Sequence, residues 1–255
     1  MKQLVSTLLI LLQLFASNIS IAQPEEKTDT INKTDENGLK QGIWRKYYSK
    51  GKLRYEGCFI DDKPSKLFKH YYMSGKIKAT MIYYNDDKSC AAHLFYEDST
   101  LMAMGLYYET KKDSLWRFYN KKGVLVADES YIKGEKNGIS SIYYLNGKPY
   151  EQINWEKGIK EGEWKQYFEN GSLKIEGNYT NGMLEGEIKY YNPSGKLISE
   201  GIYKNNLMDS TWIFYDDDGK VELKKIYKNG ELLNKDELEN YLIVPVDNDE
   251  KKYDK

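Results

Sequence analysis

The sequence is poor in the residues that build metal, redox and disulfide sites. Only two histidines and two cysteines occur in 255 residues. His70 and His93 have no cluster of cysteines or carboxylates at ligand spacing, so the sequence indicates neither a metal site nor another cofactor. It also lacks a phosphate-cradling glycine loop, a nucleophile-elbow serine and a paired Cys–His arrangement. These absences favour a non-catalytic protein over an enzyme.

The charge balance excludes further classes of partner. The chain carries 38 basic and 39 acidic residues, for a formal net charge of −1. A nucleic-acid-binding protein needs a basic footprint, and this chain has none. The sequence has no polybasic patch either, so it does not predict contact with a lipid surface. We therefore expect no nucleic-acid partner and no lipid partner.

Long hydrophobic runs are confined to the first 22 residues. Lys2 precedes an apolar stretch from Leu4 to Phe15, which is too short to span a bilayer. Small residues, Ser20 and Ala22, follow it, and the whole is typical of an export signal over residues 1–22. No cysteine lies near its end, so the sequence predicts an exported, periplasmic or extracellular protein without a lipid or transmembrane anchor. Residues 23–41 are mostly polar and predict a flexible leader.

What the sequence does contain is a period of 24 residues that runs through residues 42–233. One aromatic column falls at Tyr47, Tyr71, Phe95, Tyr119, Tyr143, Tyr167, Tyr191 and Tyr215. A second falls at Phe59, Tyr83, Tyr107, Tyr131, Trp155, Tyr179, Tyr203 and Tyr227. Repeats of this length indicate one supersecondary unit stacked along an axis. With two turn signals per block, the pattern predicts an all-β fold, an elongated single-layer antiparallel β-meander of eight 24-residue hairpin repeats.

Charges within each block predict the pairing of the two strands. If the turns before Gly51 and its counterparts are two-residue loops, four opposite-sign pairs face each other across the hairpins. These pairs are Arg45 with Glu56, Arg117 with Asp128, Lys165 with Glu176, and Lys189 with Glu200. The same register sets Trp44 against Gly57 and Trp164 against Gly177, where a ring covers a bare backbone. A three-residue loop with a bulge at the glycine would slip this register by one and is the alternative.

The two cysteines fall at different positions of the repeat. Cys58 lies on the second strand of the first block, and Cys90 begins the third block, three strands away at ~4.8 Å per strand. A disulfide needs Cα atoms within ~7 Å. We therefore expect two free thiols.

The third block and the C-terminus depart from the pattern. In the third block Ala92 replaces the ring found at Trp44, and Ser99 replaces the turn glycine, which indicates either drift or a local bend or partner site. Residues 234–246 predict a short capping helix, with Asn234 at its start and Leu238 on its apolar stripe; an irregular tail is the alternative. Residues 247–255 are expected to be disordered.

The aromatic columns are the candidate binding surface. Most of the first column forms the predicted site: Tyr47, Tyr71, Tyr119, Tyr143, Tyr167, Tyr191 and Tyr215. Strand alternation places this row on one face and the tryptophans at 44, 116, 164 and 212 on the other. The rows either bury apolar area in a thin sheet or stack on glycan rings or a protein partner. Both interpretations remain open, and they can hold for different rows.

The block from Gly162 to Gly182, with Trp164, Tyr167, Gly171 and Tyr179, resembles the bacterial variant of the MORN repeat. That variant is collected under the label YwqK-family antitoxin. The resemblance implies antiparallel β-hairpin arrays, a scaffolding or dimerisation role, membrane-lipid contact in some eukaryotic members and, from the label, neutralisation of a toxin. The resulting hypothesis is a non-catalytic, protein-binding scaffold of the cell envelope, with toxin neutralisation as a special case. The alternative is a carbohydrate-binding surface protein that uses the aromatic rows.

Overall fold

A computed structural model of the chain describes residues 31–84 and 88–233. The expectations for residues 1–22, 23–30, 234–246 and 247–255 lie outside these ranges. Residues 31–41, which the sequence assigned to the flexible leader, contain a first strand and the start of a second. That part of the expectation is wrong, because backbone groups of this segment pair with the first repeat.

The described residues form nineteen strands. They are β1 (Lys33–Thr34), β2 (Lys40–Tyr47), β3 (Leu53–Ile60), β4 (Lys63–Tyr71), β5 (Ile77–Tyr83), β6 (Ser89–Phe95), β7 (Leu101–Tyr108), β8 (Lys111–Tyr119), β9 (Leu125–Ile132), β10 (Glu135–Tyr143), β11 (Pro149–Glu156), β12 (Ile159–Tyr167), β13 (Leu173–Thr180), β14 (Met183–Leu184), β15 (Gly186–Tyr191), β16 (Leu197–Lys204), β17 (Leu207–Tyr215), β18 (Val221–Lys228) and β19 (Glu231–Leu232).

The strands follow one another in a meander, which confirms the predicted fold class. Each strand pairs antiparallel with the strand before it, except that β15 pairs with β13. β14 and β15 together form one interrupted strand beside β13. The result is a single open antiparallel sheet to which every 24-residue block adds one hairpin. Within the described ranges the chain contains no helix.

The predicted register is confirmed, but the predicted loop is wrong. Arg45 pairs with Glu56 and Trp44 with Gly57, as expected, and the other three hairpins with ion-pair partners agree. The loop, however, has three residues, because the amide of Tyr48 bonds the carbonyl of Lys52 and the amide of Gly51 bonds the carbonyl of Tyr48. Gly51 has a φ of 76°, which favours glycine. A three-residue loop alone would move the pairing by one residue. A register shift beside Tyr47 compensates for this, so Arg45 still pairs with Glu56.

The two-residue loops occur between the repeats instead. Asp61 and Asp62 have φ angles of 48° and 64°, and both central residues of a type I′ turn need positive φ. Lys133-Gly134 and Asn181-Gly182 adopt the same conformation at equivalent places. Most blocks also begin with a residue of positive φ, such as Ser114 or Gly162. At that residue the register between the block's first strand and the last strand of the previous hairpin is shifted. Each block therefore contains two kinds of turn.

The core lies on the face of the sheet that carries the tryptophans, which we call the core face. Its buried side chains include Phe59, Phe68, Trp116, Ile153, Trp164, Ile188 and Trp212. The second aromatic column belongs to this face as well, since Tyr107 packs edge-on against Trp116 at 4.8 Å between ring centroids. The side chains of Lys112 and Lys160 extend over these rings. The opposite, outer face retains the charged pairs and the first aromatic column.

Each glycine on the core face is covered by the following hairpin. A Cβ on Gly57 would lie 2.4 Å from the ring of Phe68, and a Cβ on Gly105 or Gly201 would lie equally near Trp116 or Trp212. The prediction that Trp44 covers Gly57 within one hairpin is therefore wrong, because the covering ring is that of Phe68. The ring that fills the space belongs to the next repeat, so the glycines join neighbouring hairpins.

In the divergent third block a large side chain again meets a small one, but the two positions are exchanged. Ala92 is opposite Met81, so a large side chain occupies the glycine position and a small one occupies the ring position. Ser99 has a φ of 73° and takes the conformation of the turn glycine that it replaces. β5 and β6 pair without a register shift. The sheet therefore continues through this block, and compensating substitutions account for its altered sequence.

The cysteines are unpaired, as expected. Cys58 is half-buried opposite Ile43, while Cys90 is buried on the core face. Burial raises the pKa of the Cys90 thiol, which disfavours its reactive thiolate.

Candidate functional site

The outer face carries both features that are candidates for binding, the predicted tyrosine row and a stripe of aliphatic side chains. Strand alternation assigns the two features to this face, because the residues lie an odd number of positions from the buried rings of the core face. The predicted tyrosines all lie on it. The structure therefore brings the predicted site residues into one row along the array.

Hydroxyl groups of the tyrosine row are bonded to the preceding hairpin. Tyr71 donates a hydrogen bond of 2.6 Å to Glu56, and Tyr143 donates one of 2.8 Å to Asp128. The same contact, fifteen residues back in sequence, joins Tyr167 to Gln152, Tyr191 to Glu176 and Tyr215 to Glu200. Tyr119 meets the Met104 sulfur there. These hydroxyls hold one repeat against the next.

Tyr47 differs from the rest of the row. The residue fifteen positions earlier is Asn32, whose side-chain amide bonds both the backbone amide and the carbonyl of Arg45. The ring of Tyr47 is 53% exposed. It is thus the member of the row best placed to contact another molecule.

The hydrogen bonds to carboxylates shift the titration of these tyrosines. Burial, followed by the hydrogen bond to Glu56, raises the pKa of Tyr71 to about 12, and the same causes act on Tyr191 through Glu176. For Tyr215 the hydrogen bond to Glu200 is the main cause of a raised pKa. In each case the carboxylate disfavours a second negative charge beside it.

Alkaline pH is therefore expected to weaken the contacts between repeats. A tyrosine whose pKa is raised on folding stabilises the native state fully below its unfolded value near 10, and this contribution is lost as the pH rises towards 12. Denaturant unfolding between pH 8 and pH 12 measures the loss. Replacing Tyr71 and Tyr191 by phenylalanine should lower stability at pH 8 and flatten its pH dependence above pH 10. The matched control is Tyr47→Phe. An unchanged slope in the double variant would contradict the assignment.

A second row of tyrosines joins the ends of the hairpins. The hydroxyls of Tyr48, Tyr72, Tyr96 and Tyr144 donate to the backbone carbonyl 23 residues later, at 2.7–3.0 Å. At the same repeat position, Asn120, Asn192 and Asp216 instead accept hydrogen bonds from amides of their own turn. The many tyrosines thus serve two ladders of contacts between repeats.

The aliphatic stripe was not identified from the sequence. We define it as Ile43, Leu67, Ile82, Ala91, Leu106, Leu115 and Ile139, which lie on strands from β2 to β10. Its five large members with the greatest exposure, Ile43, Leu67, Ile82, Leu115 and Ile139, are each 41–59% exposed. Ile82 pairs with both Leu67 and Ala91, so the stripe runs across neighbouring strands. The signal was present as a large aliphatic residue immediately after four of the block starts, but strand alternation alone does not say which face of the sheet stays uncovered.

The stripe ends where the residue after each block start changes from apolar to polar. Glu163, Glu187 and Thr211 take its position in the last three blocks. A shallow depression of about 200 Å³ marks the boundary and is lined by Ile139, Gln152, Ile153, Asn154, Glu163 and Lys165. The stripe therefore occupies the first half of the outer face, and its repeat position carries polar or charged side chains in the second half, where Ile202 is 39% exposed nearby.

Over residues 31–84 and 88–233, no three His, Cys, Asp or Glu side chains gather in a way that would hold a metal ion. In the same part of the chain, no helix has the length and apolar character needed to cross a membrane.

Comparison with known proteins identifies the repeat. The MORN repeat variant matches residues 40–61, 136–157, 160–181, 184–205 and 208–229. The five segments share one phase of the 24-residue period, and the three blocks between the first and second segments form the same hairpins. No curated protein matches the chain.

Among solved structures, one described as the crystal structure of TarM aligns with 46% of this chain at 10% identity and a TM-score of 0.24. The alignment spans 20% of that chain, and a likeness at this score carries no argument about fold or function. The identification therefore depends on the repeats themselves. Five in-phase matches within one continuous hairpin sheet support a MORN-repeat protein.

Proposed function

We propose that this chain is a non-catalytic repeat scaffold that binds another protein through the aliphatic stripe of its outer face. The observation that carries the proposal is the exposure of five large aliphatic side chains aligned on one half of the sheet. Single exposed apolar residues are normal on protein surfaces, whereas several large ones aligned on one face are typical of an interaction site. Burying the exposed half of each side chain would contribute about 1 kcal/mol.

The partner is expected to present a complementary apolar row. The charged half of the face, which includes Glu163 and Lys165, would favour a partner with polar groups at one end. A toxin is a special case of such a partner. Export to the periplasm or the outside, inferred from residues 1–22, would require that toxin to act in the envelope.

Substitution within the stripe tests the proposal. Replacing Leu67, Ile82 and Leu115 by threonine keeps a good strand former while removing exposed apolar surface. Thermal unfolding should change little, because these side chains are already exposed, whereas binding of a protein recovered from envelope extracts should weaken about 10- to 100-fold. Glu163→Thr with Glu187→Thr is the matched control in the same column. Equal weakening by control and test variants would contradict a role for the stripe.

The carbohydrate-binding alternative depends on the tyrosine row. Its bonded hydroxyls favour a structural role for most members, and Tyr47 is the exposed exception. Replacing Tyr47, Tyr119 and Tyr167 by alanine distinguishes the two functions. Loss of retention on glycan with the fold and protein binding intact would support the alternative.

A further inference from the structure

The fourth and fifth hairpins meet at β9 and β10, and on the core face the contact between them is polar. We call this contact the β9–β10 junction. At the equivalent positions of the other described junctions an apolar side chain meets a glycine or another apolar residue, as Trp116 covers Gly105. Here Glu129 and Ser140 occupy the two positions and lie opposite each other. Ser140 is 9% exposed, and its buried hydroxyl has no hydrogen-bond partner within the described residues, which costs free energy.

Charged groups link the two strands of this junction instead. The ammonium of Lys136 on β10 donates to Glu129 on β9 at 2.6 Å, and the hydroxyl of Tyr131 donates to the same carboxylate at 2.5 Å. Burial opposes the ionisation of Glu129, but these hydrogen bonds bring its pKa below the ordinary value. The side chains of Lys136 and Glu129 remain 30% and 21% exposed. A partly exposed ion pair contributes less net stability than a buried apolar contact.

The turns of the fourth and fifth hairpins are also unlinked. At the other junctions a side chain of one turn donates to a backbone carbonyl at or just before the next turn, from Tyr48, Tyr72, Tyr96, Tyr144, Asn170 and Lys196. Asn120 takes the tyrosine position in the fourth hairpin, but it accepts from the amides of Lys122 and Val124 in its own turn. Among the described residues no hydrogen bond joins this turn to that of the fifth hairpin. Two kinds of contact are therefore weakened at one place.

The buried apolar side chains divide at the same place. One cluster contains Trp116 with the alanines at 92 and 103, and Tyr131 packs against it. The other contains Ile153, Trp164, Ile188 and Trp212, and Trp155 packs against it. The stability of a repeat array is approximately the sum of its repeats and of the interfaces between neighbours, so a weak interface allows the parts on either side to unfold separately.

We propose that the β9–β10 junction divides the array into two cooperative units, β1–β9 and β10–β19, which unfold separately and between which the sheet opens locally. The backbone ladder is continuous in the native state, and Tyr143 bonds Asp128 across the junction as its counterparts do elsewhere. Opening at this point breaks polar contacts and leaves both apolar clusters in place. The inference is independent of what the outer face binds.

Pulsed hydrogen–deuterium exchange of the full chain across a urea series tests the proposal, because it resolves unfolding strand by strand. We expect one midpoint for the strands up to β9 and another for the strands from β10 onwards. Trp116→Ala should lower the first midpoint by about 1 M urea or more and leave the second unchanged. Trp212→Ala should have the reverse effect. A single cooperative array would shift both midpoints together in each variant.

Rebuilding the apolar contact provides a second test. The double variant Glu129→Gly with Ser140→Trp places a ring over a glycine at the β9–β10 junction, as Trp116 covers Gly105. The two midpoints are expected to merge. Met81→Gly with Ala92→Trp is the matched control, since it makes the same exchange at a junction that is already apolar. The control should leave the midpoints as far apart as in the parent chain.

Three results would overturn the proposal. In the first, all strands of the parent chain share one midpoint, and both tryptophan variants move it for every strand. In the second, two midpoints occur but the boundary lies at a junction other than β9–β10. In the third, the control merges the midpoints as effectively as the rebuilt junction. If the rebuilt variant fails to fold, the comparison of Trp116→Ala with Trp212→Ala decides alone.

Discussion

Replacing Trp116 by alanine is expected to lower the free energy of unfolding by about 3–5 kcal/mol. Trp116 is fully buried, and its ring lies between Tyr107 and Phe118. Its Nε1–H donates to the carbonyl of Leu106 at 2.8 Å. The change removes the largest fully buried side chain of the core face and leaves that acceptor without its partner.

Denaturant unfolding of the parent and variant measures this loss. Trp44→Ala is the matched control, because Trp44 takes the same repeat position in the first hairpin but is only half-buried there. Its effect should be clearly smaller. Equal losses at the two positions would contradict the conclusion that burial between consecutive hairpins determines the contribution of each ring.

Replacing Gly105 by methionine is expected to destabilise the array by about 1–3 kcal/mol, because the space above this residue is already filled. A Cβ at Gly105 would lie 2.4 Å from Cδ2 of Trp116, which is closer than van der Waals contact allows. The Trp116 ring also contacts Tyr107 and Phe118, so it cannot easily move away from the added side chain. Gly177→Met is the matched control, because the neighbour there is Ile188, whose nearest atom is 3.3 Å away.

The double variant Gly105→Met with Trp116→Ala provides the stricter test. It reproduces the Met81 and Ala92 pair that the chain itself uses one repeat earlier. The methionine should fill part of the cavity that Trp116→Ala leaves, and the alanine should relieve the overlap that Gly105→Met creates. A coupling energy of about 1–3 kcal/mol is expected, so the double variant should lose less stability than the sum of the two single losses. Additive losses would show that the two positions do not share one space.

The strand register was predictable because it follows from local chemistry. Ion pairs such as Arg45 with Glu56 lie within one hairpin, and the period-two alternation of a strand assigns each side chain to a face. The loop type was not predictable in the same way. A two-residue loop, and a three-residue loop followed by a register shift, give the same pairing further along the hairpin, so the charges do not distinguish them.

The candidate site was predicted in part. The tyrosine row was located on the correct face, yet its hydrogen bonds to the preceding hairpin depend on how repeats pack, which single blocks do not reveal. The aliphatic stripe was missed for a related reason. Ile43 and Leu67 alternate with Trp44 and Phe68 in a pattern that fits a strand buried on both faces as well as one buried on a single face.

The sequence by itself determined the repeat length, the two strands of each block, the pairing within each hairpin and the division of the rings between two faces. These features depend on residues close together in the chain and on the alternation of a strand. Only the tertiary structure decided what lies between hairpins: which ring covers which glycine, where the tyrosine hydroxyls bond and which face stays open. The residues of positive φ at the block starts shift the pairing between one hairpin and the next. The volume available between the hairpins, not the local sequence pattern, then selects the side chains that meet there.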